Sequence, residues 1–262
     1  MGKFNFIQLG SGSSFGVPVP ACQCAVCLSE NPKNKRFRTS ALISNESGEN
    51  LLIDCSADFR TLALKHKIKN INGLLLTHCH ADHVLGLDDL RGYNKAQKSP
   101  IKIFSSEVTF KEISRIFSYA FQQNPSLAGL SAPQFEIHQL EPFAEFEILG
   151  IKAKTFELIH GKMSVIGLRI GELVYATDFK NCSQETLNII KGCKYLMLDS
   201  IGYQQISQHL TIPEAIEFSK KVGAEKTYLI HLNHKVDHDQ TNAQLPAGIE
   251  LAYDGLSFSF LA

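Results

Sequence analysis

Short apolar runs recur along this chain, and turn residues separate them. This pattern is typical of β-strands that are buried on at least one face. In the first half of the chain it predicts strands at 3–9, 40–45, 50–54 and 72–76. In the second half it predicts strands at 146–149, 151–158, 164–170, 172–176, 195–199, 227–231, 249–253 and 256–260.

Helical spacing of apolar residues interrupts the strands at a few places. It predicts a helix over 57–66 and another that begins near His83. A helix over 211–222 is signalled in more detail, because Thr211 and Glu214 have the spacing of a capping box.

The order of these elements predicts an α+β fold. Two β-rich halves with helices outside them indicate two sheets packed face to face between helical layers. No linker divides the sequence, so we expect a single domain over 1–262. Residues 105–140 differ in character: they combine a helical stretch from Val108 to Phe121 with the loop 124–126, and we interpret them as an insertion that caps one side of a site.

Bulk composition narrows the possible partners. The 262 residues are 44% hydrophobic, and the net charge is zero, which disfavours nucleic acid as a partner. The short basic run 33–38 is interpreted as a solvated loop, and contact with a phosphate is the alternative. We predict a cytoplasmic protein without membrane contact, since no stretch approaches the ~20 apolar residues of a membrane span and the seven cysteines are an odd number.

The densest chemistry lies in residues 78–83, which read His-Cys-His-Ala-Asp-His and follow a predicted buried strand. In extended chain, residues two apart point the same way, so His78 and His80 can hold one ion together. Asp82 and His83 lie past the turn and suit a second ion. Histidine and carboxylate ligands are compatible with zinc, manganese or iron. The alternative is a solvated polar loop.

Three further candidate ligands stand at the ends of predicted strands, where loops present functional groups. They are His160, Asp178 and His231. Taken singly, each has an ordinary alternative, which is a core histidine with satisfied hydrogen bonds or an aspartate that caps a turn. Their recurrence beside the hexapeptide favours a shared metal site.

A second cluster of metal-binding residues lies near the N-terminus, within a loop over about 10–30. Cys22, Cys24 and Cys27 supply three thiols within six residues, which is typical of a closed structural zinc site. His234 follows His231 by three residues and is the candidate fourth ligand. The alternative is a group of buried or reactive cysteines.

The order of the candidate metal ligands along the chain resembles the ligand order of the metallo-β-lactamase superfamily. The resemblance covers the whole chain. It implies an αββα sandwich with two divalent ions, zinc or manganese, that hold a hydroxide for hydrolysis. It further implies Asp178 as a bridge between the ions and Asp54 as a partner of a ligand histidine. The two implied ligand sets are His78, His80 and His160, and Asp82, His83 and His231.

Additional motifs resemble one branch of that superfamily, the phosphoribosyl 1,2-cyclic phosphate phosphodiesterases, whose core is similar to ribonuclease Z. These motifs are the sequence at 10–12, the three cysteines, the sequence at 86–91 and the pair His231 and His234. The resemblance gives His209 as an additional histidine of this branch, which can protonate the leaving oxygen or hydrogen-bond a phosphoryl oxygen. The alternative is a surface residue at a helix start. Asp199 ends a predicted strand and is the candidate partner that orients His209. Asp82 is predicted to be both a ligand and a catalytic carboxylate.

The leading functional hypothesis is therefore a metal-dependent phosphodiesterase that opens a cyclic ribose phosphate or a similar small phosphodiester. Arg91 can pair with a substrate phosphate or with the neighbouring Asp88 or Asp89. The alternatives are a ribonuclease Z-like nuclease that trims tRNA, a thioester or lactone hydrolase, and a non-catalytic binding module. A homodimer is implied by the resemblance alone.

Overall fold

Two mixed β-sheets form the centre of the protein in a computed structural model that describes residues 2–121 and 132–262. The seven strands of the first sheet are β1 Lys3–Gly10, β2 Ser40–Asn45, β3 Asn50–Ile53, β4 Gly73–Leu75, β5 Ile101–Ser105, β6 Phe135–Gln139 and β15 Ser257–Leu261. The eight strands of the second are β7 Glu145–Ile148, β8 Ile151–His160, β9 Met163–Ile170, β10 Leu173–Ala176, β11 Asn181–Cys182, β12 Tyr195–Asp199, β13 Lys226–Ile230 and β14 Ile249–Leu251.

Helices cover the outer faces of both sheets. The α-helices are α1 Ala25–Leu28, α2 Phe59–Lys65, α3 Ala81–Val84, α4 Arg91–Gln97, α5 Glu107–Ile116, α6 Ser118–Phe121, α7 Gln184–Ile190, α8 Ile212–Val222 and α9 His238–Asn242. Short 3₁₀ helices span Pro32–Asn34 and Leu87–Leu90. No described helix is both long and apolar enough to cross a membrane.

Apolar side chains fill three layers between these elements. The central layer lies between the two sheets and includes Phe6 and Tyr175. A second layer packs the first sheet against α2 and α5, and a third packs the second sheet against α7 and α8. The predicted αββα sandwich is therefore confirmed.

Each sheet changes from antiparallel to parallel pairing along its width. In the first sheet β3, β4, β5 and β6 are parallel neighbours, and in the second sheet β10, β12, β13 and β14 are. The carboxyl ends of parallel strands lie at one edge of a sheet, where α/β proteins commonly place their ligands. Loops at that edge carry nearly all of the candidate site residues.

The helix predicted to begin near His83 is wrong in its extent. Helix α3 already begins at Ala81, and it stops at Val84 before the 3₁₀ turn and α4. The backbone of Cys55 causes the break: its N–H donates to the His83 carbonyl at 2.7 Å, and its carbonyl accepts from the Gly86 N–H at 2.9 Å. The His83 carbonyl is therefore bonded outside the helix.

The segment interpreted as an insertion, 105–140, is built into the fold at both ends. Strand β6 pairs with β5 in parallel, and Phe110, Ile113 and Phe117 of the helical stretch pack into the core of the first sheet. The sequence prediction missed both strands. The predicted loop at 124–126 lies outside the described residues, and a capping role for the segment stays a prediction.

Helix α8 was predicted correctly. Thr211 is its N-cap, the reciprocal capping box with Glu214 is present, and Gly223 ends the helix in the left-handed conformation. The start of α8 is important for the site because His209 lies two residues before Thr211.

Candidate metal centre

Strand ends from both sheets converge on one group of polar side chains. From the first sheet come Asp54, directly after β3, and the segment that begins at His78. From the second come His160 at the end of β8, Asp178 two residues after β10, and His231 directly after β13.

Three of these residues have a left-handed backbone. The φ angles are 58° at Asp54, 55° at Asp178 and 62° at His231. This region costs a residue with a side chain about 1–2 kcal/mol. Such strain persists where the surrounding structure enforces it, and it concentrates at functional sites.

The first ligand cluster consists of His78, His80 and His160. One ring nitrogen of each lies within 4.8 Å of the other two. Burial lowers the pKa of all three imidazoles, most strongly that of His78. Each ring is therefore neutral at physiological pH, which is the form that binds metal.

The second cluster consists of Asp82, His83, Asp178 and His231, and all four are buried. Asp178 Oδ2 lies 3.5 Å from His83 Nε2 and 3.4 Å from His231 Nε2. The same oxygen is 3.9 Å from Nε2 of His78 in the first cluster. Asp178 therefore lies between the two clusters.

The orientation of the rings fits a pair of cations. Among the residues that the structure describes, the buried Nε2 atoms of His78, His83 and His231 have no hydrogen-bond partner. An unpaired buried polar atom costs about 1–3 kcal/mol, and a cation between the clusters would remove that cost. The donor set, histidine nitrogen and carboxylate oxygen, suits zinc or manganese.

Neighbouring groups hydrogen-bond to the Nδ1 atoms of two ligand rings, those of His83 and His160. His83 Nδ1 is 2.7 Å from Asp54 Oδ2, and His160 Nδ1 is 3.0 Å from the Gln208 carbonyl. Thr77 fixes Asp54 in turn, since its backbone N–H donates to that carboxylate at 2.8 Å. Such contacts orient metal-binding histidines. The structure thus brings Asp54 to the histidine partner that the sequence resemblance implied.

His209 lies directly against the ligand clusters. Its ring centroid is 4.7 Å from that of His160 and 4.6 Å from that of His231, with which it stacks. Asp199 approaches His209 Nδ1 at 3.2 Å and also lies 3.5 Å from His231 Nδ1. Burial alone would lower the pKa of His209, but Asp199 outweighs it and raises the pKa to about 9. Asp199 therefore favours the protonated form of the His209 ring.

The cysteine cluster lies beside this centre. His234 Nδ1 is 3.3, 3.5 and 3.6 Å from the sulfurs of Cys22, Cys24 and Cys27. Ligand atoms around a tetrahedral zinc are about 3.5–3.8 Å apart, given Zn–S and Zn–N bonds of about 2.3 and 2.0 Å. A bond from the Cys27 backbone N–H, together with His234, lowers the pKa of the Cys24 thiol to about 6. The four residues therefore fit a structural zinc.

A buried arginine holds the loop that carries both His231 and His234. Arg36 donates to the Asn233 carbonyl at 3.1 Å and to the Val236 carbonyl at 2.8 Å. Its side chain is only 2% exposed. The interpretation of 33–38 as a solvated loop is therefore wrong for Arg36, and no pattern in the sequence distinguishes it from its basic neighbours.

The described ion pair of Arg91 does not involve any residue of the two ligand clusters. It pairs with Asp88 at 3.2 Å, and Asp88 also accepts a hydrogen bond from the Tyr119 hydroxyl at 2.7 Å. Half of the Arg91 side chain is exposed. A role in substrate binding stays a prediction.

Comparison with known proteins defines the class. The profile of the beta-lactamase superfamily domain matches residues 49–232. The chain therefore belongs to this superfamily, as the sequence motifs predicted. The crystal structure of human tRNase Z, short form, superposes with a TM-score of 0.70 at 18% identity over 97% of this chain and 98% of that one, which shows the shared fold.

The nearer relatives define the family more closely. The crystal structure of a new diphosphatase from the PhnP family has a TM-score of 0.91 and 34% identity, and covers 98% of this chain and 97% of that one. At this identity and coverage, the chain belongs to the PhnP family. The anti-Pycsar protein Apyc1 of Paenibacillus xerothermodurans is 28% identical over 70% of this chain and 79% of that protein.

One curated relative is longer than this chain. The octanoyltransferase of Porphyromonas gingivalis is 35% identical over 252 residues, which make up 95% of this chain and 50% of that protein. The chain thus spans about half the length of this relative.

Proposed function

We propose that the protein is a metal-dependent hydrolase that cleaves a phosphorus–oxygen bond in a small phosphodiester or diphosphate. A cyclic ribose phosphate is the specific candidate substrate. Similarity to a PhnP-family diphosphatase over nearly the whole chain supports this class of reaction. The arrangement of His209 beside the two ligand clusters carries the proposal.

In this proposal His78, His80 and His160 hold one divalent cation, and Asp82, His83 and His231 hold the other, with Asp178 shared. Bound there, zinc or manganese would supply a nucleophile at neutral pH and neutralise charge that develops on phosphorus.

The protein's own contribution is the placement of a proton. His209 lies against both ligand clusters and Asp199 favours its protonated form, so it can donate to the oxygen that leaves phosphorus. Asp199 keeps the ring oriented through Nδ1, which leaves Nε2 as the donating nitrogen. A thioester hydrolase gains less from such a donor, because its thiolate leaving group departs as a stable anion.

Two further parts of the proposal concern support and selection. The residues Cys22, Cys24, Cys27 and His234 would hold a structural zinc that fixes the N-terminal loop against the loop that carries His231. Arg91 and the segment 105–140 are the proposed sources of substrate selection.

The test is a panel of substrates with the chelated and the metal-repleted protein. The panel comprises bis(4-nitrophenyl) phosphate, a ribonucleoside 2′,3′-cyclic phosphate, a nucleoside diphosphate ester, a precursor tRNA and a thioester. We expect zinc or manganese to restore turnover of the small phosphorus substrates. Turnover of the thioester alone would contradict the proposal, and preference for the precursor tRNA would favour the ribonuclease Z-like alternative.

His209→Ala separates catalysis from metal binding in the same assay. We expect turnover of the cyclic phosphate, whose leaving oxygen has to be protonated, to fall by roughly 10²-fold or more, with the bound metal unchanged. Loss of metal in this variant would instead make His209 a ligand.

A further inference from the structure

Lys180 lies next to the candidate metal centre and belongs to none of the sequence motifs described above. It follows Asp178 by two residues, and its backbone N–H donates to the Ile159 carbonyl at 2.9 Å, beside His160. The main chain of Lys180 is thus tied to two segments that carry candidate metal ligands.

The side chain of Lys180 reaches in the opposite direction, to the segment that carries His209. Its ammonium donates to the His209 carbonyl at 3.2 Å and to the two carboxylate oxygens of Glu214 at 2.8 and 2.7 Å. A lysine ammonium has three donors, and these three contacts use all of them. Only 18% of the side chain is exposed.

Glu214 connects the same ammonium to the start of helix α8. Its Oε2 accepts the Thr211 backbone N–H at 2.8 Å and the Thr211 hydroxyl at 2.9 Å. Lys180 and Glu214 therefore hold the segment 209–211 from one side, while Asp199 holds the Leu210 N–H from the other at 3.1 Å.

We propose that Lys180 is a positioning residue that fixes the His209 ring over the reacting phosphorus, so that proton delivery to the leaving oxygen depends on it. An exposed lysine–glutamate pair contributes about 0–1 kcal/mol and acts on stability alone. Lys180 differs because its third bond goes to the main chain of the proton donor itself. The inference rests on the proposed function, in which His209 donates a proton.

The consequence is a dependence on the leaving group. The nitrophenolate of bis(4-nitrophenyl) phosphate leaves without a proton, whereas a ribose hydroxyl has to be protonated as its bond to phosphorus breaks. In that step the oxygen of a hydroxide forms a bond to phosphorus, and the bond from phosphorus to the leaving oxygen breaks with its electron pair staying on that oxygen. The His209 N–H proton passes to the leaving oxygen. A misplaced His209 should therefore slow only the second kind of substrate.

The experiment compares Lys180→Met and Lys180→Arg on bis(4-nitrophenyl) phosphate and a ribonucleoside 2′,3′-cyclic phosphate. For Lys180→Met we expect kcat on the cyclic phosphate to fall roughly 10-fold or more, kcat on the nitrophenyl ester to change less than about 3-fold, and metal content to stay constant. Lys180→Arg should recover part of the loss. Lys194→Met is the matched control, since Lys194 also pairs with a glutamate, Glu172 at 3.2 Å, at the far end of the sheet.

Combining the variant with His209→Ala tests the proposed route directly. If Lys180 acts through His209, Lys180→Met should add no further loss in the double variant. Equal losses on both substrates, loss of metal, or no change on either substrate would overturn the inference.

If the proposed function is wrong, the unmodified protein will turn over neither phosphorus substrate. That result differs from every outcome of the Lys180 experiment. In that case the ring resonances of His209 in an NMR spectrum still test the contact. They should shift in Lys180→Met and stay in place in Lys194→Met, and an unshifted His209 would overturn the inference without any assay of turnover.

Discussion

The two candidate metal regions share one loop but are assembled in different ways. The histidine–aspartate centre draws its ligands from strand ends of both sheets, and nearly all of them are buried. The cysteine cluster takes three of its four ligands from within six residues, and two of the cysteines are partly exposed. The first is therefore shaped by the whole fold, whereas the second depends on a local loop that has little core of its own.

This difference predicts opposite responses to the loss of a ligand. In the first region the sheets hold the remaining ligands in place, so activity should be lost before stability. In the second region the metal supplies part of the folding energy of the loop, so stability should be lost before activity.

The largest effect is expected for Asp178→Asn in the histidine–aspartate centre. The substitution removes the charge that lies between the two ligand clusters. We expect kcat/KM to fall about 10³-fold, which corresponds to about 4 kcal/mol, with only a small change in melting temperature. Asp239→Asn, at an exposed carboxylate, is the control and should leave both quantities unchanged. A large loss of stability in Asp178→Asn would remove the contrast between the regions.

Cys24→Ser tests the other side of the comparison. It should release one zinc per chain and lower the free energy of unfolding by about 3 kcal/mol, the stabilisation expected from a metal present at about 100 times its Kd. Metal analysis and thermal unfolding measure these changes, and any metal bound at the histidine–aspartate centre should be retained. Full stability with unchanged zinc content would show that the cysteines do not form a zinc site. Cys193→Ser, at a buried cysteine outside the cluster, is the control for zinc content.

An intermediate effect is expected for Asp54→Asn. Asp54 contacts Nδ1 of His83 and is not itself a proposed metal ligand. The set of proposed ligands therefore stays complete in this variant. Loss of such a partner typically weakens metal binding by about 10–100-fold. Titration with a competing chelator measures this, and the cysteine cluster should keep its zinc throughout. An unchanged metal affinity would exclude the orienting role of Asp54.

The smallest effect is expected in acid, at the start of α8 beside the histidine–aspartate centre. Burial raises the pKa of Glu214, but Lys180 and Thr211 outweigh it and lower the pKa to about 2, from an ordinary value of 4.5. A carboxyl group with a lowered pKa stabilises the fold above its unfolded pKa, and this contribution is lost as the pH falls from about 4.5 towards 2. Since about a third of Glu214 is exposed, we expect less than about 1 kcal/mol.

Comparing the unfolding free energy of the protein with that of Glu214→Gln between pH 6 and pH 3 measures this contribution. The difference between the two should be present at pH 6 and shrink towards pH 3. A difference that grows as the pH falls would have the wrong sign.

The parts of the fold that depend on local sequence were predictable. The period of the strands, the capping box at Thr211 and the spacing of the three cysteines each follow from residues near one another in the chain. The residues His160, Asp178 and His231 were recognisable because each follows a clear strand and the superfamily order connects them.

The features that the sequence did not predict depend on distant partners. The helix around His83 breaks because the Cys55 backbone N–H donates a hydrogen bond to the His83 carbonyl. Strand β6 was missed because it lies at the edge of its sheet, with little of the alternating burial that marks a strand. Arg36 is buried because carbonyls some 200 residues away accept its hydrogen bonds.

At Asp54, Asp178 and His231, which have a left-handed backbone, a substitution that increases stability is expected to lower activity. Glycine adopts this conformation without steric cost, and asparagine adopts it more readily than most residues. Replacement by either would relieve strain while removing a charge or an imidazole from the centre. A selection for thermal stability alone would therefore favour sequences with an impaired centre at these three positions.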